Sequence, residues 1–168
     1  MDGLAGPPEQ LPMLGLDDGT VLAMRAALPD MASRTVEAVT NQVPEYARST
    51  AEMDANINVA VELALGAFLR RATGSGRRAS GAPSANVLEA AYALGRGEAN
   101  SGRTMNALLA AYRAGARAAW REMSELMVER AIDAATVAHF AELVFAYIDA
   151  LSASSAAGHA DQLATTGR

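Results

Sequence analysis

GRGEANSGRTMNALLAAYRAGARAAWREM, residues Gly95 to Met123, sets a turn signal directly before the strongest helical repeat in the chain. Gly102 suits the left-handed position that follows one helix, and Thr104 suits the N-cap of the next, where its hydroxyl accepts from an otherwise orphan amide. Downstream, Met105, Leu108, Leu109, Tyr112, Ala116, Trp120, Met123 and Met127 recur at spacings of three and four. That period makes one apolar face over roughly six helical turns. Two narrower stripes lie beside it. Ala111, Gly115 and Ala119 carry almost no side chain and invite another helix to approach closely. Arg113, Arg117 and Arg121 repeat every four residues; they are either a solvated face paired with acids such as Glu122 and Glu125 or candidate anion contacts.

Working back toward the N-terminus, Ser84 suits the cap of a helix carrying Val87, Leu88, Ala91, Tyr92 and Leu94. Gly95 and Gly97 would each cost that helix about 1 kcal/mol, so either it ends there or a neighbouring backbone comes too close for a side chain. These glycines do not make a phosphate loop, since no strand precedes them and no Lys-Ser or Lys-Thr pair follows. TGSGRRASGAP, from Thr73 to Pro83, reads as the one clear internal loop, and its Arg77 and Arg78 join Arg70 and Arg71 in a small basic surface patch. Before it, Met53, Ile57, Val61, Ala64, Leu65 and Phe68 predict a helix over about Ala51 to Arg71, with Asn56 and Asn58 at the edge of its apolar stripe and Asn56 in a structural role. Leu28, Ala32, Thr35, Val36, Val39 and Val43 form a further stripe that ends before Pro44. Ahead of it Thr20 is expected to cap a short helix over Val21 to Leu28, which Pro29 breaks or restarts. Residues 1–19, with Pro7, Pro8 and Pro12, read as a mobile arm.

On the C-terminal side Asp133 suits an N-cap, and Val137, Phe140, Val144, Tyr147, Ile148 and Leu151 make the last strong stripe. From Ser152 the chain turns small and polar, so this helix is expected to fray near Gly158, with residues 161–168 a tail. His139 and His159 are the only imidazoles. Neither has a second His or Cys at ligand spacing, and His159 falls in the expected tail, so no metal, haem or other cofactor is predicted.

Every stripe has a helical period and no strand pattern competes. The expected fold is all-α, a single bundle of five or six main helices over residues 20–160. At 168 residues the chain suits one domain. It has no cysteine, and its net charge of −5 with 14 basic residues, all arginine, disfavours a nucleic-acid surface as its main function. No basic, apolar leader is present, and Glu62, Arg113, Arg117, Glu142 and Asp149 interrupt every candidate membrane span, so a cytoplasmic location with no membrane contact is predicted. No convergent set of acid, base and nucleophile is visible, so no enzymatic activity is expected.

The stretch quoted above resembles the N-terminal regulatory domain of actinobacterial PucR-type transcriptional regulators. LPDMASRTVEAVTNQVPEY, from Leu28 to Tyr46, resembles that family's opening helix and Pro-Glu-Tyr turn, and VFAYIDALSASS, from Val144 to Ser155, its closing helix. The chain is also similar to the N-terminal region of the RsbR and RsbRD stress-signalling proteins. Those resemblances imply a non-haem, globin-like helical fold and an effector-sensing, dimerising domain that controls a C-terminal helix-turn-helix module, for which no counterpart occurs in this sequence. They carry over no catalytic residue. Gly95, Arg96, Gly102, Arg103, Ala111, Tyr112, Arg113 and Trp120 are implied to be architectural. Tyr112, Gly115, Ala119, Trp120, Phe140 and Tyr147 are the candidate helix-packing or interface residues. The competing expectation is a binding domain that captures an apolar molecule, such as a fatty acyl chain or acyl-CoA, between helices lined by Met, Leu, Val and Phe.

Overall fold

The computed structural model describes residues 16–48, 51–73 and 82–167. The basic pair Arg77 and Arg78, most of the N-terminal arm, and the side chains of Met53 and Asn56 lie outside the described residues. Five α-helices account for nearly all of the described chain: α1 (Asp18–Gln42), α2 (Ala51–Thr73), α3 (Ala85–Asn100), α4 (Met105–Glu129) and α5 (Ala134–Thr166), with one 3₁₀ turn at Pro44–Tyr46. No strand occurs among the described residues, so the fold is the all-α bundle that the periodicity predicts.

Local chemistry sets most of the ends. Ser84, Thr104 and Asp133 each accept from the amide three residues on, capping α3, α4 and α5. Gly102 turns the chain with φ +80°, and the amides of Gly102 and Arg103 return to the carbonyls of Ala99 and Glu98 at 3.1 and 3.0 Å, closing α3 as a left-handed cap. Val43 is extended ahead of Pro44 and terminates α1.

Three boundaries differ from expectation. α1 runs unbroken through Pro29, because Met24 on one side and Met31 and Ala32 on the other are buried in the same interior, and one missing backbone bond does not outweigh that burial. Its cap is Asp17 and not Thr20; Thr20 is fully buried and takes a hydrogen bond from Arg130 Nε at 2.7 Å. α5 does not fray near Gly158 but continues to Thr166, since Gly158, His159 and Gln162 are buried against α3 and the turn that follows it.

The pairings show how the helices lie. α1 and α4 are antiparallel, joined from Thr20–Arg130 through Arg34–Glu122 at 2.6 Å to Glu45–Thr104. α4 and α5 are antiparallel, joined by Tyr112–Ser155 and Trp120–Phe140. Along α2, Tyr147 Oη donates to the Ala64 carbonyl at 3.0 Å and Phe68 meets Phe140 edge-on at 5.4 Å. α3 runs parallel to α5 at very short range. A Cβ on Gly95 would stand 1.8 Å from the Ser155 carbonyl oxygen, and one on Gly158 would stand 2.0 Å from that of Tyr92. Each glycine therefore admits the other helix's backbone, and Ser154 and Ser155 reach across to the carbonyls of Leu88 and Ala91 at 2.7 and 2.6 Å. Gly97 has nothing within 4 Å, so neither a helix end nor a close approach explains it. The interior is one cluster of Met24, Met31, Phe68, Leu69, Met123, Met127, Phe140, Val144 and Tyr147, with a smaller one around Val43, Tyr46, Ala107 and Ala114.

Candidate functional site

The most concentrated polar chemistry lies where the 3₁₀ turn, the end of α3, the Ser101–Thr104 turn and the C-terminal part of α5 converge. Glu98, at 7% exposed, is held by three contacts. Arg103 Nη1 donates to both of its oxygens at 3.1 and 3.0 Å, and Tyr46 Oη donates to Oε2 at 2.7 Å. The Arg103 guanidinium also lies 4.4 Å over the Tyr46 ring, so the same cation serves an acid and an aromatic face. Burial and the neighbouring carboxylate push the Tyr46 phenol above its usual range.

Four residues of α5 complete the cluster. His159, 2% exposed, places Nε2 at 2.7 Å from the Arg103 carbonyl oxygen. A carbonyl only accepts, so Nε2 carries the proton, and Nδ1 is buried with no partner among the described residues. Gln162 accepts from Arg96 Nε at 3.0 Å and donates to Asn100 Oδ1 at 2.8 Å. Ser155 gives its one proton to the Ala91 carbonyl, which makes Tyr112 Oη the donor in their 2.6 Å contact. Burial raises the Tyr112 phenol. On the α3 flank Tyr92 Oη donates to Asp161 at 2.6 Å.

Outside this cluster Glu45 accepts from Thr104 N and Oγ1 at 3.2 and 3.0 Å. An open depression of about 700 Å³ lies there, bordered by Pro44, Glu45, Arg48, Ser101, Gly102, Arg103 and Thr104. Among the described residues no group of three His, Asp or Glu is placed to hold a metal ion. The chemistry of the cluster is mechanical: apart from His159 Nδ1, which has no partner among the described residues, its hydrogen bonds join its members to one another and tie α5 to three other segments.

The residues singled out from sequence are distributed differently. Phe140, Tyr147 and Ala119 are buried in the main core, with Tyr112 and Trp120 packed partly buried against it. Trp120, Phe140, Phe68 and Tyr147 form one aromatic chain, with centroids 5.2–6.3 Å apart between neighbours. Gly115 faces α1, where a Cβ would meet Thr35 Cγ2 at 3.3 Å and Val39 Cγ2 at 3.7 Å; the small stripe thus packs within the chain. Arg113, Arg117 and Arg121 stay exposed and converge on nothing. Arg117 reaches Gln42 at 3.3 Å, while Glu122, one of the acids expected to pair with this stripe, is taken by Arg34. Arg96 and Arg103 both contact other parts of the chain, Arg96 through Gln162 and Arg103 through Glu98. In the sequence His159 reads as part of a tail, and Glu98, Ser155 and Gln162 are not singled out as site residues, although 155, 159 and 162 share one helical face, a polar stripe that a frayed tail would not need.

A family model described as the RsbT co-antagonist protein rsbRD N-terminal domain matches residues 29–168. No curated protein and no solved structure matches the chain.

Proposed function

The chain belongs to the RsbRD N-terminal domain family, and from that premise we propose that it is the regulatory half of a transcription factor. It is a cytoplasmic domain that dimerises, senses an effector and passes the result to a C-terminal helix-turn-helix module of the PucR type. The course of α5 carries this reading. One uninterrupted helix of 33 residues touches the aromatic core through Phe140 and Tyr147, then the polar cluster through Ser155, His159 and Gln162, and runs on to Thr166. A rod anchored at two separate places turns a change of packing at one into displacement at the other. The second anchor suits switching, because its hydrogen bonds are directional and worth about 1 kcal/mol each.

The motif around Gly95 to Met123 supports the PucR-type partner. The net charge of −5 agrees with leaving DNA to another module, since phosphate repels an acidic surface. Gel retardation at moderate salt tests the reading, comparing this chain alone with the protein that carries the helix-turn-helix module. Only the latter is expected to retard a specific fragment, and variants at His159 or Gln162 are expected to alter its regulation of a reporter gene. Specific retardation by this chain alone overturns the proposal, as does a reporter indifferent to the removal of this domain.

A further inference from the structure

We infer that the outer seam between α4 and α5 is the surface through which two copies of this chain pair, an inference that rests on the dimerising reading above and gives it a location. Phe145 is 55% exposed, although its ring centroid lies 6.4 Å from that of the partly buried Trp120. An aromatic pair thus stands at the surface with one side in water. In the most apolar stretch of α5 only 28% of the residues are buried within the chain, so this helix keeps apolar positions that its own bundle does not fully cover.

The charges around that pair are sorted by side. On α4 the helical period places Tyr112 and Met123 on the α5 side of Trp120, and Arg113 and Arg117 on the other. On α5 it places Ile148 and Ser155 on the α4 side of Phe145, and Glu142 and Asp149 on the other. Among the described residues none of these four charged groups has an ion-pair partner in the chain. Across the seam the surface therefore runs from a cationic rim through an aromatic centre to an anionic rim.

Such a strip is complementary to itself in one orientation. A two-fold axis lying in the surface and parallel to the helices carries the cationic rim of each copy onto the anionic rim of the other and brings the two aromatic centres together. It lays α4 of one copy antiparallel to α5 of its partner. A two-fold across the helices would instead set like charge on like. The occupant this pattern fits is a second copy of the same chain.

Sedimentation equilibrium of the full chain tests this on the wild type, on Phe145→Glu, and on two paired reversals, Arg113→Glu with Arg117→Glu and Glu142→Arg with Asp149→Arg. The wild type is expected to be a dimer. Phe145→Glu should weaken pairing by about 30-fold or more. Its helical spectrum should stay intact, because the side chain is already exposed in a single copy. Each paired reversal should self-associate poorly, since one is anionic and the other cationic on both rims, and an equimolar mixture of the two should recover a dimer. A wild-type dimer that Phe145→Glu leaves unchanged overturns the surface and leaves the dimerising reading standing, as does a mixture of folded reversals that fails to pair. A wild type that is monomeric at every concentration overturns both, and so does a monomer that sediments with lipid vesicles through Phe145.

Discussion

Two glycines one half-turn apart in α3 should respond to alanine with opposite signs. At Gly95 the new methyl would stand 1.8 Å from the Ser155 carbonyl oxygen and 2.7 Å from its carbon, against an ordinary contact of roughly 3.5 Å. Both atoms are backbone on the far helix, so α3 and α5 must part by about 1.5 Å. Parting them strains the bonds from Ser154 to Leu88 and from Ser155 to Ala91, now 2.7 and 2.6 Å and worth about 1 kcal/mol each. Overpacking adds about 1–3 kcal/mol, and the gain in helix propensity returns just under 1 kcal/mol. Gly95→Ala should therefore lose about 2–4 kcal/mol, which in a domain of this size lowers the melting temperature by about 10 °C. At Gly97 nothing lies within 4 Å, so only the propensity term acts. Gly97→Ala should raise stability by about 0.5–1 kcal/mol. Circular-dichroism melts of the two variants and the wild type at one protein concentration measure both. A Gly95→Ala protein that melts at or above the wild type refutes the close backbone crossing, and shifts of equal sign refute the distinction between the two sites.

Gly115→Leu should cost about 1–3 kcal/mol, because Thr35 and Val39 leave no room for a long side chain; the partner lies in the same chain, so the loss should be equal at two protein concentrations, and a higher melting point would contradict it. Glu98→Gln removes the charge that Arg103 and Tyr46 share in a nearly buried setting and should cost about 3–5 kcal/mol in urea titration; a change under about 1 kcal/mol would mean that water takes over the contact. Burial raises the Tyr46, Tyr112 and Tyr147 phenols, Tyr147 from 10.0 to about 12. The unfolded chain then ionises first, so this contribution is complete below the ordinary tyrosine pKa and is lost as pH rises toward the folded value. The urea midpoint should fall between about pH 10 and 12, and a flat profile there would count against the burial of these rings.

The helices, three of their caps and the Gly102–Thr104 turn were legible in the sequence because each rests on neighbours three or four residues apart. Met105 to Met127 announces α4 by period alone, and Ser84, Thr104 and Asp133 announce starts through their own side chains. Short-range signals misled where distant contacts prevailed. Pro29 reads as a break until Met24 and Met31 are seen sharing one core, and SASSAAGHADQ reads as a fraying tail until α3 is laid along it. Gly95 and Gly97 look alike in a string, and only the crossing with Ser155 separates them. Glu98, His159 and Gln162 each take meaning from a partner on another segment: Tyr46, the Arg103 carbonyl, Arg96. The chain by itself determined the all-α class and the helix repeats, since a helix is specified by its own successive turns; which helices touch, and therefore which polar groups are buried together, depended on packing between residues far apart in sequence, and only the tertiary structure decided it.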